Sequence, residues 1–154
     1  MKPMGSRDSS QASAALRRSA CAIGKGLAAV LAFSSSLHAA THALSIVNSG
    51  TSAWVIDGQN NPALTLVRGD TYEFNLQAVP AFHPFYIKTT NSTGSGNQFT
   101  QGVTNNGSTG STTVTFVVPA TAPDSLHYNC GNHSAMNGPI TVMDSDVLFA
   151  DGFE

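Results

Sequence analysis

Three side chains with metal-binding potential lie close together in the segment Tyr128-Asn129-Cys130-Gly131-Asn132-His133-Ser134-Ala135-Met136-Asn137-Gly138-Pro139-Ile140, at a spacing of Cys-x₂-His-x₂-Met. The glycines and Pro139 mark a tight loop between two strands, and a loop that short can turn all three side chains toward one point. Upstream, His83 heads His83-Pro84-Phe85-Tyr86-Ile87-Lys88. At a period of two, His83, Phe85 and Ile87 share one face, so the histidine can point into the same end of the fold. A thiolate with two imidazoles and a weak axial thioether is the ligand field of a blue-copper electron-transfer site. Zinc accepts Cys and His as well, but structural zinc usually takes four Cys/His ligands and no Met.

The elements that position these residues read as strands. In Tyr72 to Gln77 apolar and polar residues alternate without a fault, the period of a half-buried strand. Gly69-Asp70 supplies a turn before it, and Ala63 to Val67 reads as its hairpin partner. Val114, Phe116 and Val118 alternate in another strand, which Pro119 ends. Further candidates are Leu44 to Val47, Trp54 to Ile56, Phe85 to Thr89, Leu126 to Cys130 and Ile140 to Met143. No long apolar repeat of helical period follows residue 43. Short strands between Gly, Asn and Pro clusters argue an all-β fold, an antiparallel sandwich or barrel. Asn91 to Gly110 reads as a loop anchored by Phe99 and Val103. Asp144 to Glu154 reads as an acidic tail.

The 154 residues suit one domain. A composition of 41% hydrophobic and 10% charged residues is that of a globular chain, and a net charge of −2 is not that of a nucleic-acid binder. Residues 1–43 read as an export leader. Lys2, Arg7, Arg17, Arg18 and Lys25 form a basic stretch, and a short apolar segment runs from Gly26 to Leu37. Small residues for cleavage follow at Ala39, Ala40 and Ala43. The residues after Arg17-Arg18 lack the hydrophobes of a twin-arginine signal, and Cys21 precedes the apolar segment, against lipidation. The apolar run is too short to span a membrane. Beyond the leader stand two basic residues, Arg68 and Lys88, against eight acids, so the exported chain is acidic. It also holds one cysteine. In a compartment where disulfides persist, a lone thiol is an intermolecular link, a reactive group or a ligand.

The Cys130–Met136 loop resembles the copper-binding C-terminal loop of the cupredoxins, the family of plastocyanin, amicyanin and pseudoazurin, and its short His-to-Met gap is most similar to the amicyanin type. The stretch from His83 resembles the segment of multicopper oxidases whose first histidine binds blue copper, without the further histidines of their trinuclear cluster. The resemblance covers residues 44–143 and includes a Leu64–Leu76 hairpin. It implies a Greek-key β-sandwich or barrel of about 7–8 strands. It also implies one type 1 copper held by His83, Cys130 and His133 with Met136 axial, and a monomeric, non-enzymatic electron carrier in the periplasm or outside the cell. Electrons would leave by His133, framed by Met136, Pro139 and Phe82. The acidic surface implies docking to a basic redox partner, weakened by salt.

Other readings stand beside this one. A copper storage or delivery protein needs the same ligands, and a cupredoxin-like interaction module needs none. A Cys130–His133 nucleophilic pair requires a third, orienting group, and Asp124 is the nearest carboxylate in sequence. His127 alternates away from Leu126, Tyr128 and Cys130 and reads as a surface or second-layer residue. Arg68-Gly69-Asp70 reads as a turn, and Met143 as core. In many small cupredoxins the residue after the first histidine donates a backbone N–H to the thiolate, which Pro84 cannot do. Restoring that donor with Pro84→Asn is expected to raise the reduction potential of the copper-loaded protein. Voltammetry showing no rise would dismiss the idea.

Overall fold

The computed structural model describes residues 39–145. The leader up to residue 38 and the tail from residue 146 lie outside the described residues. Ten strands form in chain order: β1 (Thr41–Ser49), β2 (Ala53–Ile56), β3 (Gln59–Asn60), β4 (Leu64–Val67), β5 (Thr71–Leu76), β6 (Phe85–Lys88), β7 (Val103–Thr104), β8 (Thr113–Val117), β9 (Ser125–Cys130) and β10 (Asn137–Met143). Two of them, β3 and β7, are only two residues long; the other eight make the body of an all-β, two-layer sandwich. One sheet runs β3-β2-β1-β5-β8-β7 and the other β4-β10-β9-β6.

Strict alternation builds the core between the layers. From the first sheet Ile46, Trp54, Tyr72, Phe74, Val114 and Phe116 point inward, and from the second Leu66, Phe85, Ile87, Leu126, Tyr128 and Ile140. The layers meet through rings. Phe85 of β6 touches Trp54 edge-on with centroids 5.1 Å apart and Phe74 at 5.4 Å. Phe99 and Val103 pack against this core, so the long loop is anchored as expected, and the short β7 lies within it.

The sheets are mixed, which corrects the expectation of an antiparallel fold. β1 runs parallel to β5, and β4 parallel to β10. The predicted hairpin of β4 and β5 does not form, because the two strands lie in different sheets. Gly69, at φ +92°, turns the chain from one layer to the other, a backbone conformation that glycine adopts without strain. The turn is fastened by Gly69 N–H to the Val118 carbonyl and Val118 N–H to the Asp70 carbonyl. Strands that follow one another across the layers arrive beside non-consecutive neighbours, and two of those neighbours run in the same direction.

Strand β1 begins three residues before the expected domain boundary at Leu44. Thr41, His42 and Ala43 pair with Thr71, Tyr72 and Glu73. Asp70 accepts a hydrogen bond from Ala40 N–H at 2.9 Å and binds His42 Nε2 at 2.9 Å, while the His42 ring stacks on Tyr72. A cut after Ala39 or Ala40 keeps the strand whole, and one after Ala43 removes its start. A chain beginning at Leu44 is expected to be less stable than one beginning at Ala40 by about 1–2 kcal/mol in urea denaturation, from three lost strand pairs and the Asp70 contacts. Equal midpoints and slopes would show that this strand start contributes nothing.

Candidate metal centre

Cys130 is the last residue of β9, where β9 runs between β6 and β10. Its Cα pairs with that of Phe85 across β6. Leu126, Tyr128 and Cys130 share the inward face, and none is exposed. The loop beyond is closed on itself, since Cys130 N–H donates to the Met136 carbonyl (2.8 Å) and Met136 N–H to the His133 carbonyl (3.2 Å). Asn137 Nδ2 donates to the Ser134 carbonyl at 2.7 Å. His83 lies in a turn just before β6, its N–H on the Pro80 carbonyl; the strand starts at Phe85 as expected, and the histidine faces inward from the turn that precedes it.

Two bonds join the His83 turn to the Cys130 loop. Gly131 N–H donates to the Pro84 carbonyl at 2.9 Å, and Asn132 Nδ2 to the Phe82 carbonyl at 2.8 Å. The two loops close on one point. Cys130 Sγ stands 3.7 Å from His83 Nδ1 and 3.5 Å from His133 Nδ1, and all three donor atoms lie within 4.8 Å of one another. The two imidazoles sit with centroids 4.6 Å apart. With metal–donor bonds of about 2.0–2.3 Å, a trigonal set separates its donors by roughly 3.7 Å. A small metal ion fits the triad, and its donors are one sulfur and two imidazole nitrogens.

The site is dry. Cys130 and Met136 are fully buried and His83 is 1% exposed, while Phe82 beside it is 57% exposed. The Phe82 ring covers His83 at 4.4 Å and meets His133 edge-on at 6.4 Å. Burial, with help from the neighbouring His133, holds His83 below the usual histidine range, which favours the neutral imidazole that binds metals. One backbone donor reaches the thiol, Asn132 N–H at 3.5 Å from Sγ. Pro84 supplies none.

The four predicted residues therefore divide cleanly. His83, Cys130 and His133 are brought together, and Met136 is buried with its backbone locked to that of Cys130. Of the expected frame around His133, Phe82 is exposed and Met136 is buried; Pro139 is exposed too, but lies in β10 opposite His127. His127 faces away from the core as read. Met143 at the end of β10 is half-buried. Asp124 cannot orient a Cys–His pair, because it precedes the other end of β9, roughly 20 Å of extended chain away, and is ion-paired with Arg68.

Sequence reasoning missed Asn61. At φ +45°, it accepts a hydrogen bond from Trp54 N–H and donates through Nδ2 to the Ala135 carbonyl at 2.9 Å. It thus ties the residue before Met136 to the opposite sheet. Tyr128, whose phenol burial pushes up, donates to the neighbouring Pro62 carbonyl at 2.6 Å. Nothing local in Asn60-Asn61-Pro62 distinguishes this brace from an ordinary turn.

Among solved structures the chain is similar to rusticyanin from Thiobacillus ferrooxidans, at 21% identity and a TM-score of 0.45 over 67% of this chain and 77% of that one. A structure of reduced rusticyanin aligns at 19% and 0.47, over 67% and 79%. A laccase from Pediococcus acidilactici aligns at 14% and 0.42, over 70% of this chain but 27% of the laccase. No protein-family model matches the chain, and no curated protein does.

Replacing Asn61 by alanine removes the hydrogen bonds to both the Trp54 backbone and the Ala135 carbonyl. It is expected to cost about 2 kcal/mol in the metal-free protein, read by urea denaturation. A loss below about 0.5 kcal/mol would mean the ligand loop holds its place without this brace.

Proposed function

We propose that the protein is an exported blue-copper electron carrier that holds one type 1 copper through His83, Cys130 and His133, with Met136 as the axial ligand. The observation that carries the reading is the buried triad, with Sγ 3.7 and 3.5 Å from two Nδ1 atoms. Thiolate and thioether suit Cu(I), and imidazole suits both oxidation states. Copper bound there would supply a one-electron couple. The chain's part is to hold the donors, exclude water and keep the imidazoles neutral. Because the ligands are braced from three directions, by Pro84, Phe82 and Asn61, they need move little when the charge at the site changes.

Half-buried His133 beside exposed Phe82 supports electron exit at this end of the sandwich. Carriage is favoured over storage or delivery, since Cys130 and Met136 are out of reach of a chelator without opening of the loop. An oxidase needs more histidines near the site. Among the described residues, His42 is bound to Asp70 at the other end of the strands and His127 lies on the outer face.

The test is to load the purified protein with Cu(II) and record the intense visible thiolate-to-copper band. The band is expected in the wild type and absent in Cys130→Ser, with slow copper loss to chelators and fast reversible redox cycling. A colourless wild-type protein would refute the reading, and fast copper loss would move it to delivery.

A further inference from the structure

Lys88 stands on the outer face of the second sheet, opposite His127, yet none of it is exposed. The segment from residue 89 to residue 98 folds over it, closed on itself by Thr89 N–H to the Asn97 carbonyl and bonded back to the sheet by Phe99 N–H to the Ile87 carbonyl. Beneath this cover Lys88 Nζ donates to the carbonyls of Ser92 (2.8 Å) and Gly94 (2.6 Å), and it lies 5.1 Å from the centre of the Tyr86 ring. Among the described residues no carboxylate lies within ion-pair distance of it; the ion pairs are those of His42 and Arg68. Two carbonyls and a ring satisfy the donors of an ammonium without neutralising its charge, and a buried charge seeks a counter-charge.

The structure leads from this cation to the proposed copper site. Gly94, whose carbonyl Lys88 holds, donates its N–H to the Gly131 carbonyl, next to the cysteine. The Tyr86 ring lies against the same Gly131, with Cε2 only 2.9 Å from where a Cβ would stand. Asn91 accepts from Asn129 and donates to Asn137, so the cover is fastened to the strands on both sides of the ligand loop. A centre with one thiolate and three neutral ligands carries a net charge of zero with Cu(I) and +1 with Cu(II). A fixed positive charge nearby, in a medium of low dielectric, therefore separates the two states in free energy.

We propose that Lys88 is a built-in fixed positive charge that tunes the copper centre, its ammonium favouring the neutral reduced form over the cationic oxidised form. The inference rests on the blue-copper reading. One electron arrives from a one-electron donor protein and reduces Cu(II) to Cu(I); Lys88 gains and loses no proton in the step. Lys88 is a tuning residue and touches no ligand itself.

The experiment compares copper-loaded wild type, Lys88→Met and Asn91→Ala by redox titration against a one-electron mediator. Lys88→Met removes the charge but keeps the length of the side chain, and its equilibrium is expected to shift about tenfold toward Cu(II), about 59 mV lower in potential. Asn91→Ala loosens the same cover while leaving the charge, and is expected to stay within about threefold of wild type. If Lys88→Met fails to fold, Lys88→Gln, neutral but with a polar end that can donate hydrogen bonds beneath the cover, is expected to shift the same way. An unchanged or raised potential in the neutral variants, with the blue band intact, overturns the proposal. Equal shifts in Asn91→Ala and Lys88→Met overturn it too, assigning the effect to seating of the cover. A wild type without the band overturns the copper reading and this inference together, so the two failures are told apart.

Discussion

The structure depends on where one backbone residue is held. Cys130 is at once the last rung of an interior strand and the first residue of the ligand loop. Pairing with Phe85 fixes its Cα from one side, and the bond from its N–H to the Met136 carbonyl fixes it from the other. A thiol so placed cannot drift, because its strand is hydrogen-bonded along both edges and Leu126 and Tyr128 on the same face are wedged into the core. Once the sulfur is fixed, closing the loop in six residues brings His133 beside it. The neighbouring strand β6 then has only to begin with a turn that carries His83.

Burial sets the second condition. A histidine at 1% exposure must find a partner or stay neutral, and both His83 Nδ1 and His133 Nδ1 face the sulfur. The cost of bringing three polar groups out of water is offset only if they act together. Trp54 and Phe82 pack against His83, and Phe85 packs against Trp54, so rings from both layers enclose the histidine.

Much of this was legible in the sequence, because it is local. The alternation in Tyr72 to Leu76 and Leu126 to Cys130 specifies strands and faces, and the Cys-x₂-His-x₂-Met spacing specifies the loop. What joins distant segments was not. The Gly69-Asp70 turn looked like a hairpin, since a tight turn reads the same whether the chain stays in its sheet or crosses to the other. The brace from Asn61 to Ala135 spans 74 positions, and no local pattern records it. Lys88 shows the same limit from the other side. Period two places it correctly on the outer face, but an outer face is exposed only if nothing covers it, and the cover is an Asn/Gly/Ser segment whose composition gives no sign of docking.

The charges of the described residues are distributed by the same geometry. Asp124 and Asp144 are paired with Arg68, and Asp70 with His42. These groups precede β5 and β9 or follow β4 and β10, at the end of the strands away from Cys130. The two loops that form the site, Pro80 to Pro84 and Gly131 to Met136, contain no Asp, Glu, Lys or Arg. An acidic chain thus presents an uncharged pole around Phe82 and His133. On the blue-copper reading, the overall charge would orient an approaching basic partner from a distance. The contact that passes the electron would be apolar, made by the Phe82 ring and the edge of His133. That contact lies at the end of the sandwich opposite the ion pairs, so screening by salt should weaken long-range attraction while leaving the apolar contact itself intact.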